Sequence, residues 1–368
     1  MHERHCSRHD SQQSLGTMQI GYDAKRYFHN RTGLGNYSRT VVNGMKRLFP
    51  ECKYILYDRK TLKRVLQLGG IAEKDGCDIY HGLSNELPFD IKGKKVRSVV
   101  TTHDVAWRRF TDMYHRIDRM LYDVKYGWAA RNADHVIAIS QSTKEDVIYY
   151  YNVPEERITV LYQPVQELFY TPLDKDLTQG LRMEALPTIP SNYLLSVGSV
   201  NSRKNLLRTL EALSTIPAGQ RIPLIVVGNG KEYLKVCREF CSKHLRPADT
   251  IWLTHIKDNR TLQALYAGAT AMLYPSMYEG FGLPVAEALL QGCPVLTSTV
   301  SSLPEAVGPG GLTVDPSDVE AMAAGISRLT EDEGLRTRLA TQGEKYCREN
   351  LDPDIQTRKL MEIYRKLE

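Results

Sequence analysis

Short apolar runs alternate with longer amphipathic stretches along most of this chain, and the alternation occurs in two successive series. In the first, runs at residues 18–22, 53–57, 79–80, 96–102, 135–140 and 158–162 have the length and flanking polarity of buried strands. Helical spacing of apolar positions over residues 35–48, 117–132 and 143–150 predicts helices between them. Pro172, Pro187 and Pro190 then interrupt the pattern and mark a linker. The second series has strand-like runs at 193–197, 223–227, 251–253, 271–274 and 294–297, with helices near 206–213, 231–243, 262–266 and 285–291. Residues 318–368 read as nearly continuous helix with a break at Asp352-Pro353. Strands alternating with helices in two series predict an α/β protein of two facing, Rossmann-like, doubly wound parallel sheets. Such sheets bind ligands at the carboxyl ends of their strands, so a cleft between the domains is the expected site. The expected divisions are a disordered tail over 1–17, a first domain over 18–170, a linker over 171–190, a second domain over 191–350, and a final helix over 351–368 returning to the first domain.

Composition sharpens this outline. A chain of 368 residues with 42% hydrophobic content supports two cores. No run approaches the ~18 apolar residues of a membrane span, and residues 1–17 lack the apolar stretch of a signal peptide. Seven cysteines without a C-x-x-C pair suggest reduced, cytoplasmic thiols. Cys237, Cys241 and His244 share a predicted helix face, but without a fourth ligand they match no zinc pattern. The net charge of +5 is uneven: residues 18–170 hold 24 Lys and Arg against 18 Asp and Glu, and residues from 171 onward hold 22 against 23. The basic half is a candidate for meeting an acidic partner, and pyrophosphate, a phospholipid surface or chance each account for so mild an excess; no nucleic-acid partner is expected. The predicted helix carrying Arg116, Arg119, Lys125 and Arg131 with Tyr122, Tyr126 and Trp128 is a candidate for an anionic membrane surface, with a solvated or packed face as the plainer alternative.

The densest chemistry lies between Met277 and Glu287. A predicted strand ends at Pro275, a turn containing Glu279, Gly280 and Gly282 follows, and a helix begins near Pro284 with Glu287 inside it. A strand, a Gly-rich turn and a helix N-terminus make a site for anionic or polyhydroxyl ligands. Two carboxylates there repel phosphate and suit hydroxyls, which points to a sugar. Gly198, Ser199, Arg203, Lys204 and Asn205 follow the first strand of the second series, where two cations beside a helix start suit a diphosphate. Thr32-Gly33-Leu34-Gly35 follows the first strand of all; it is a phosphate turn, a substrate approach or simply a structural turn, and a dinucleotide fingerprint would need glycine in place of Ser38. Asp58 would then be the ribose-binding acid. His81 and His103 sit in turns after successive strands, where a structural and a functional role are equally open. Thr143 and Asp146 fit a capping box. Asp174-x-Asp176 and Asp352-x-Asp354 lie in predicted loops, which argues against a metal–diphosphate site, and no P-loop or nucleophile elbow is present.

Four elements together resemble the retaining GT-B glycosyltransferases, closest to the bacterial mannosyltransferase group that also includes glycogen and sucrose synthases. They are Glu279-Gly-Phe-Gly-Leu-Pro…Glu287, the turn from Gly198 to Asn205, the turn Thr32-Gly33-Leu34-Gly35, and Ser301-Ser302-Leu303-Pro304-Glu305. The likeness runs from about Met18 to the C-terminus, with the stretch from Asp58 to Asp78 short for the group. The resemblance implies a GT-B fold and a nucleoside-diphosphate sugar as donor, with no further cofactor and no metal. It gives Glu287 the ribose, Glu279 the sugar hydroxyls, and the backbone of Gly280, Phe281, Gly282 and Leu283 the sugar or phosphate. Arg203 and Lys204 would hold the diphosphate, with Gly198, Ser199 and Asn205 around them. His103 would reach the transferred sugar, and Gly33, Gly35 and His81 would line the acceptor side. Base recognition is expected through backbone atoms of residues 254–257.

The implied reaction moves a hexose, mannose favoured over glucose, to a hydroxyl of a glycan or lipid-linked saccharide. GDP-mannose is the donor the resemblance favours. No carboxylate presents itself as a nucleophile, so front-face transfer with retained configuration is expected, in the cytoplasm and peripherally at the inner membrane face. Two rivals stay open on sequence alone. One is an NAD-dependent oxidoreductase using Gly33, Gly35 and Asp58; the other is a non-catalytic protein that binds sugar nucleotides or glycans.

Overall fold

The structure, a computed structural model, describes residues 17–30, 32–58, 65–256 and 258–368. The tail expected over residues 1–17 falls outside them except for Thr17, and so does the last residue of the 254–257 stretch. Twelve strands are described, in two parallel sheets of six. The first contains β1 (Gln19–Asp23), β2 (Lys53–Tyr57), β3 (Ile79–Gly82), β4 (Arg97–Thr102), β5 (His135–Ala138) and β6 (Ile158–Val160), in the order β2-β1-β3-β4-β5-β6. The second contains β7 (Leu194–Val197), β8 (Leu224–Val227), β9 (Thr250–Leu253), β10 (Ala271–Tyr274), β11 (Val295–Ser298) and β12 (Gly311–Val314), in the order β12-β11-β10-β7-β8-β9.

This topology decides where a ligand goes. Every residue of β3, β8, β10 and β11 is buried, because helices cover both faces and exclude water from alternating sides alike. The chain winds outward in one direction and then reverses. The reversal falls between β1 and β3 in the first sheet and between β7 and β10 in the second. Loops leaving adjacent strands diverge at these points and open a crevice. The turn from Gly198 to Lys204 leaves β7, and the turn from Pro275 to Gly282 leaves β10, so both chemical motifs of the second half rise from one switch point.

Several sequence expectations change. The stretch 172–190 is not irregular: Lys175–Ala185 is helical, started by the Asp174 side chain accepting from Leu177 N–H at 2.8 Å. The C-terminal region is three helices, Val319–Glu331, Glu333–Asn350 and Pro353–Leu367, with a second break at Asp332, whose side chain accepts from Leu335 N–H at 2.7 Å. Strand β12 is an addition: four partly exposed residues after a Gly-Pro-Gly turn give no clear alternation. In the Asp58–Asp78 stretch, Leu68–Lys74 is helical, while residues 59–64 lie outside the described residues. The final helix buries Leu360, Met361 and Tyr364 against Ile20, Tyr22 and Val42 of the first half. Ile139, Val165 and Phe169 in turn join the core of the second half. Among the described residues no helix is long and apolar enough to cross a membrane.

Candidate active site

The second half builds its side of the cleft around one carboxylate. After β10 the chain turns through Glu279 and enters the Leu283–Leu290 helix at Gly282, whose φ of 108° is a left-handed value that a side chain would strain. The turn is braced from the neighbouring segment. Ser301 Oγ accepts from Glu279 N–H at 3.0 Å, and Ser302 Oγ lies 2.9 Å from the Glu279 carbonyl and 2.8 Å from the Phe281 carbonyl, its single O–H shared between them. The other motif turn supplies the counter-charges. Ser202–Lys204 forms a single 3₁₀ turn, capped by Asn201 Oδ1 accepting from Lys204 N–H at 3.2 Å. Lys204 Nζ lies 2.6 Å from Glu279 Oε1, and Arg203 Nη1 lies 3.1 Å from Glu279 Oε2. Arg203 also donates to the Tyr278 carbonyl at 2.6 Å, and Lys204 donates to the Tyr274 hydroxyl.

The three charges sit in a buried place, and their ionisation follows from it. Burial pushes the Glu279 carboxyl up, but Lys204 and Arg203 outweigh it and hold it below the usual carboxylate range. Burial lowers Lys204 from its ordinary value, with Glu279 opposing. The ensemble therefore presents one carboxylate shared by two cations, with the Asp104 carboxyl also drawn to Arg203.

Glu287 is in a different environment on the same helix. It accepts from the Tyr266 hydroxyl at 3.1 Å, and no cation pairs with it among the described residues. Burial pushes its carboxyl up to about 7, with the Tyr266 bond opposing.

The first half faces this site through the loop after β4. His103 donates from Nε2 to the Leu83 carbonyl at 2.9 Å and meets the Tyr37 ring edge-on at 4.7 Å. Burial lowers its pKa to about 4, so the ring is neutral and Nδ1 is left as an acceptor. A Cβ placed on Gly280 would stand 2.1 Å from the His103 carbonyl, so the two halves meet backbone to backbone where only glycine fits. Thr143 Oγ1 lies 3.3 Å from both the His103 and Gly280 carbonyls and ties them together. Asp104, next to His103, is raised by burial against the pull of Ala106 N–H and Arg203.

Further contacts close the cleft. Tyr278 OH donates to Asp146 Oδ2 at 2.8 Å, and Arg109 holds Asp146 Oδ1 at 2.5 Å. Asp146 is 1% exposed. Glu305 receives the amides of Gln141 and Ser142 at 2.7 and 3.0 Å, at the start of the Gln141–Tyr151 helix.

Some expected site residues have other work. His81 is fully buried; Nδ1 bonds Tyr364 OH at 2.5 Å and Nε2 bonds Thr101 Oγ1 at 2.8 Å, so its ring lines no acceptor surface. Asn205, 2% exposed, spends its amide on the carbonyls of Pro275 and Pro316 at 3.0 and 2.7 Å. It clamps the two turns rather than facing a donor. The Phe281 ring is buried against Tyr162, which leaves only its backbone for a ligand. The cap of the Gln141–Tyr151 helix is Ser140, accepting from Thr143 N–H at 3.0 Å, and Asp146 belongs to the domain contact instead. Asp58 bonds His29 Nε2 at 2.8 Å, and Ser38, inside the Gly33–Leu48 helix, donates to the Leu34 carbonyl at 2.9 Å. Asp174 and Asp352 are helix caps. Gly198 lies beside Lys204, with φ of 128°, and Ser199 is exposed next to it. Gly33 opens the Gly33–Leu48 helix, Gly35 packs on the Asn30 carbonyl, and Leu283 is half-buried at its helix start. Cys237 and Cys241 are buried in an apolar cluster while His244 stacks on Phe240.

Sequence reasoning gave no site role to Tyr278, Arg109, Ser301 or Ser302, and read Asp146 only as part of a helix cap. Tyr278 adjoins Glu279, and the serines open an element already singled out, so adjacency was the available signal.

Comparison with known proteins agrees with this architecture. Residues 24–167 match the model of Glycosyltransferase Family 4, and residues 185–346 match that of Glycosyl transferases group 1. The chain is 31% identical over 274 residues to O-antigen chain mannosyltransferase B of Escherichia coli, covering 72% of this chain and 68% of that protein. Among solved structures it is similar to sucrose-phosphate synthase of Thermosynechococcus elongatus, with a TM-score of 0.75 and 19% identity over 95% of this chain and 99% of that one. It is also similar to Anabaena HepE in complex with UDP and glucose, with a TM-score of 0.73 and 16% identity over 94% of this chain and 99% of that one.

Proposed function

The chain belongs to the GT-B glycosyltransferases, with a family 4 region followed by a group 1 region, and we propose that it moves a hexose from a nucleoside-diphosphate sugar to a hydroxyl of a glycan or lipid-linked saccharide, retaining the anomeric configuration. The observation that carries this reading is the Glu279 carboxylate held between Lys204 and Arg203 at the switch point, directly against the His103 loop. Mannose as the hexose is favoured by similarity to the Escherichia coli mannosyltransferase, and GDP is the carrier proposed with it.

The barrier to such a transfer lies in the departure of the diphosphate. Arg203 and Lys204 receive its growing charge from fixed positions, which is where electrostatic stabilisation acts without reorganisation and without a metal. Glu279 holds sugar hydroxyls, and Glu287 holds the ribose. The amides from Gly280 to Leu283 meet the phosphate at the start of a helix. His103 accepts from a hydroxyl of the sugar in transit. With both oxygens of Glu279 tied to cations, that carboxylate is a poor nucleophile. The leaving phosphate takes the acceptor proton on the same face. Gly33 and Gly35 lie on the acceptor side. The enzyme works from the cytoplasm against the inner membrane face, where lipid-linked acceptors are met.

Lys204→Ala tests the assignment. Removing one charge-stabilising donor lowers turnover by roughly 10²–10³, measured as transfer of labelled mannose from GDP-mannose to a glycan acceptor. Undiminished transfer sinks the reading, and a strict Mg²⁺ requirement removes its metal-free form. A thermal-shift panel of GDP, UDP and NAD identifies the carrier, since a ligand at ~100 times its Kd stabilises by ~2.7 kcal/mol.

A further inference from the structure

The Gln141–Tyr151 helix of the first half starts with backbone amides that its own turns cannot pair. Ser140 Oγ takes one of them, the Thr143 N–H, at 3.0 Å. The two before it reach into the second half. Gln141 N–H donates to Glu305 Oε2 at 2.7 Å and Ser142 N–H donates to Glu305 Oε1 at 3.0 Å, across 164 and 163 positions of chain. Each carboxylate oxygen thus holds one amide, with the positive end of the helix behind both. Farther along the same helix, Thr143 Oγ1 lies 3.3 Å from the Gly280 carbonyl, and Asp146 accepts from Tyr278 OH at 2.8 Å. One helix start therefore grips the Glu279 turn directly and also grips Glu305.

The second grip matters because of what Glu305 is joined to. Its carbonyl accepts from the Tyr346 hydroxyl at 2.6 Å, which pins the Leu303–Val307 helix to the Glu333–Asn350 helix. Leu303 packs under the donor turn, where a Cβ on Gly282 would stand 2.9 Å from its Cδ2. Just before it, Ser301 Oγ holds the Glu279 amide, and the Ser302 O–H is shared by the Glu279 and Phe281 carbonyls. Four non-glycine residues among those described have a left-handed φ; three are asparagine, and the fourth is Ser301 at 53°. Serine seldom adopts that conformation, so the surrounding bonds hold Ser301 in it. The segment 301–305 thus has one end on the turn that carries Glu279 and the other on the helix start of the first half.

We propose that Glu305 is a positioning residue for the transfer: held by the Gln141 and Ser142 amides, it fixes the segment 301–305, and Ser301 and Ser302 in turn set the Glu279 turn in its working geometry. It acts through those serines. The proposal rests on the transferase reading for the use to which that geometry is put. Glu287, which that reading gives the ribose, bonds Tyr266 and lies outside this chain of contacts. Losing the Glu305 contact therefore spares nucleotide binding and impairs the chemical step, which needs Glu279 seated between Lys204 and Arg203.

The test uses the full chain and substitutions on opposite sides of the contact. Glu305→Ala removes the carboxylate. Gln141→Pro removes one amide from the first half and keeps the helix, because proline suits the first helical position and Ser140 before it is already extended, at φ −157° and ψ 163°. Each lowers kcat for mannose transfer from GDP-mannose by roughly 10–100-fold, the worth of a hydrogen bond to a charged group. KM for GDP-mannose and the Tm gain with GDP stay within about twofold of the wild type. Glu305→Gln keeps an oxygen for one amide and recovers most of the turnover, and Gln141→Pro causes no further loss in Glu305→Ala. Hydrogen exchange at the Glu279 amide reads the coupling without turnover, and it quickens roughly tenfold in Gln141→Pro as the Ser301 bond loosens. If Glu305→Ala does not fold, Gln141→Pro carries the test by itself, since it leaves Glu305 in place. Wild-type turnover in the variants, losses that multiply in the double variant, or an unchanged Glu279 exchange rate overturns the proposal. So does a loss of the GDP Tm gain that matches the loss of turnover, because Glu305 then serves the donor site as a whole. A wild type without transfer but with the exchange response removes the transferase reading alone. Transfer without the exchange response removes the Glu305 assignment alone.

Discussion

Replacing Glu287 with glutamine tests whether that carboxyl is held ready for a ligand at the expense of the fold. Burial pushes it from an ordinary 4.5 up to about 7. Holding it ionised in the folded protein therefore costs about 3 kcal/mol, at ~1.4 kcal/mol for each tenfold change in proton affinity. A carboxyl whose folded value lies above its unfolded one favours the fold while it is protonated. That contribution is full below about 4.5 and lost as pH rises through about 7. Glutamine has no charge to desolvate, and its amide oxygen can keep the Tyr266 bond. At pH 8 the variant is thus more stable than the wild type by about 3 kcal/mol, and at pH 4.5 the two are equal. For a half of about 160 residues this is a rise in Tm of roughly 6–12 °C at pH 8. Differential scanning calorimetry across pH 4.5–8 measures it, and addition of GDP gives the functional side. The wild type gains Tm with the nucleotide, while the variant, without a carboxylate for the ribose, gains far less. A variant less stable than wild type at pH 8, or a Tm difference that does not change with pH, refutes the reasoning.

Three other outcomes follow from the cleft. Gly280→Ala places a methyl 2.1 Å from the His103 carbonyl, so the halves cannot close; transfer falls at least tenfold while the Tm gain with GDP survives. Tyr278→Phe removes a donor from the buried Asp146 and an acceptor from Val105 N–H. It costs ~2–3 kcal/mol in thermal unfolding, and a double-mutant cycle with Asp146→Asn gives a non-zero coupling energy. His81→Ala loses bonds to Tyr364 and Thr101 and leaves a cavity, at a cost of ~2–4 kcal/mol. The KM for acceptor in the folded enzyme stays unchanged, and an increase of tenfold or more would return His81 to the acceptor surface.

The alternation of apolar runs was enough to read two parallel sheets, because strands buried on both faces need continuous apolar sequence. Glu279, Arg203 and Lys204 were legible for a related reason: turns at strand ends are local, and their residue types state their chemistry. What could not be read was partnership. His81 and His103 look like equivalent turn residues in the sequence, yet His81 lies inside β3 with its ring sealed by Tyr364 from 283 positions away, while His103 follows β4 and bonds the Leu83 carbonyl. Asn205 looks like part of a binding turn until the carbonyls of Pro275 and Pro316 take its amide. β12 escaped because four partly exposed residues show no alternation, and the Lys175–Ala185 helix because the prolines at 172, 187 and 190 made its stretch read as a linker.

The sequence by itself determined the two sheets, the turns that end their strands and the charges those turns carry, since each is set by residues close together in the chain. The tertiary structure alone decided which charges meet and what each is worth. Glu279 and Glu287 are the same side chain eight positions apart. One lies low because two cations 75 and 76 positions away share it; the other rises to about 7 because the fold buries it beside a tyrosine and, among the described residues, no cation. Desolvation and Coulomb attraction depend on distance in space, and spacing along the chain does not encode that.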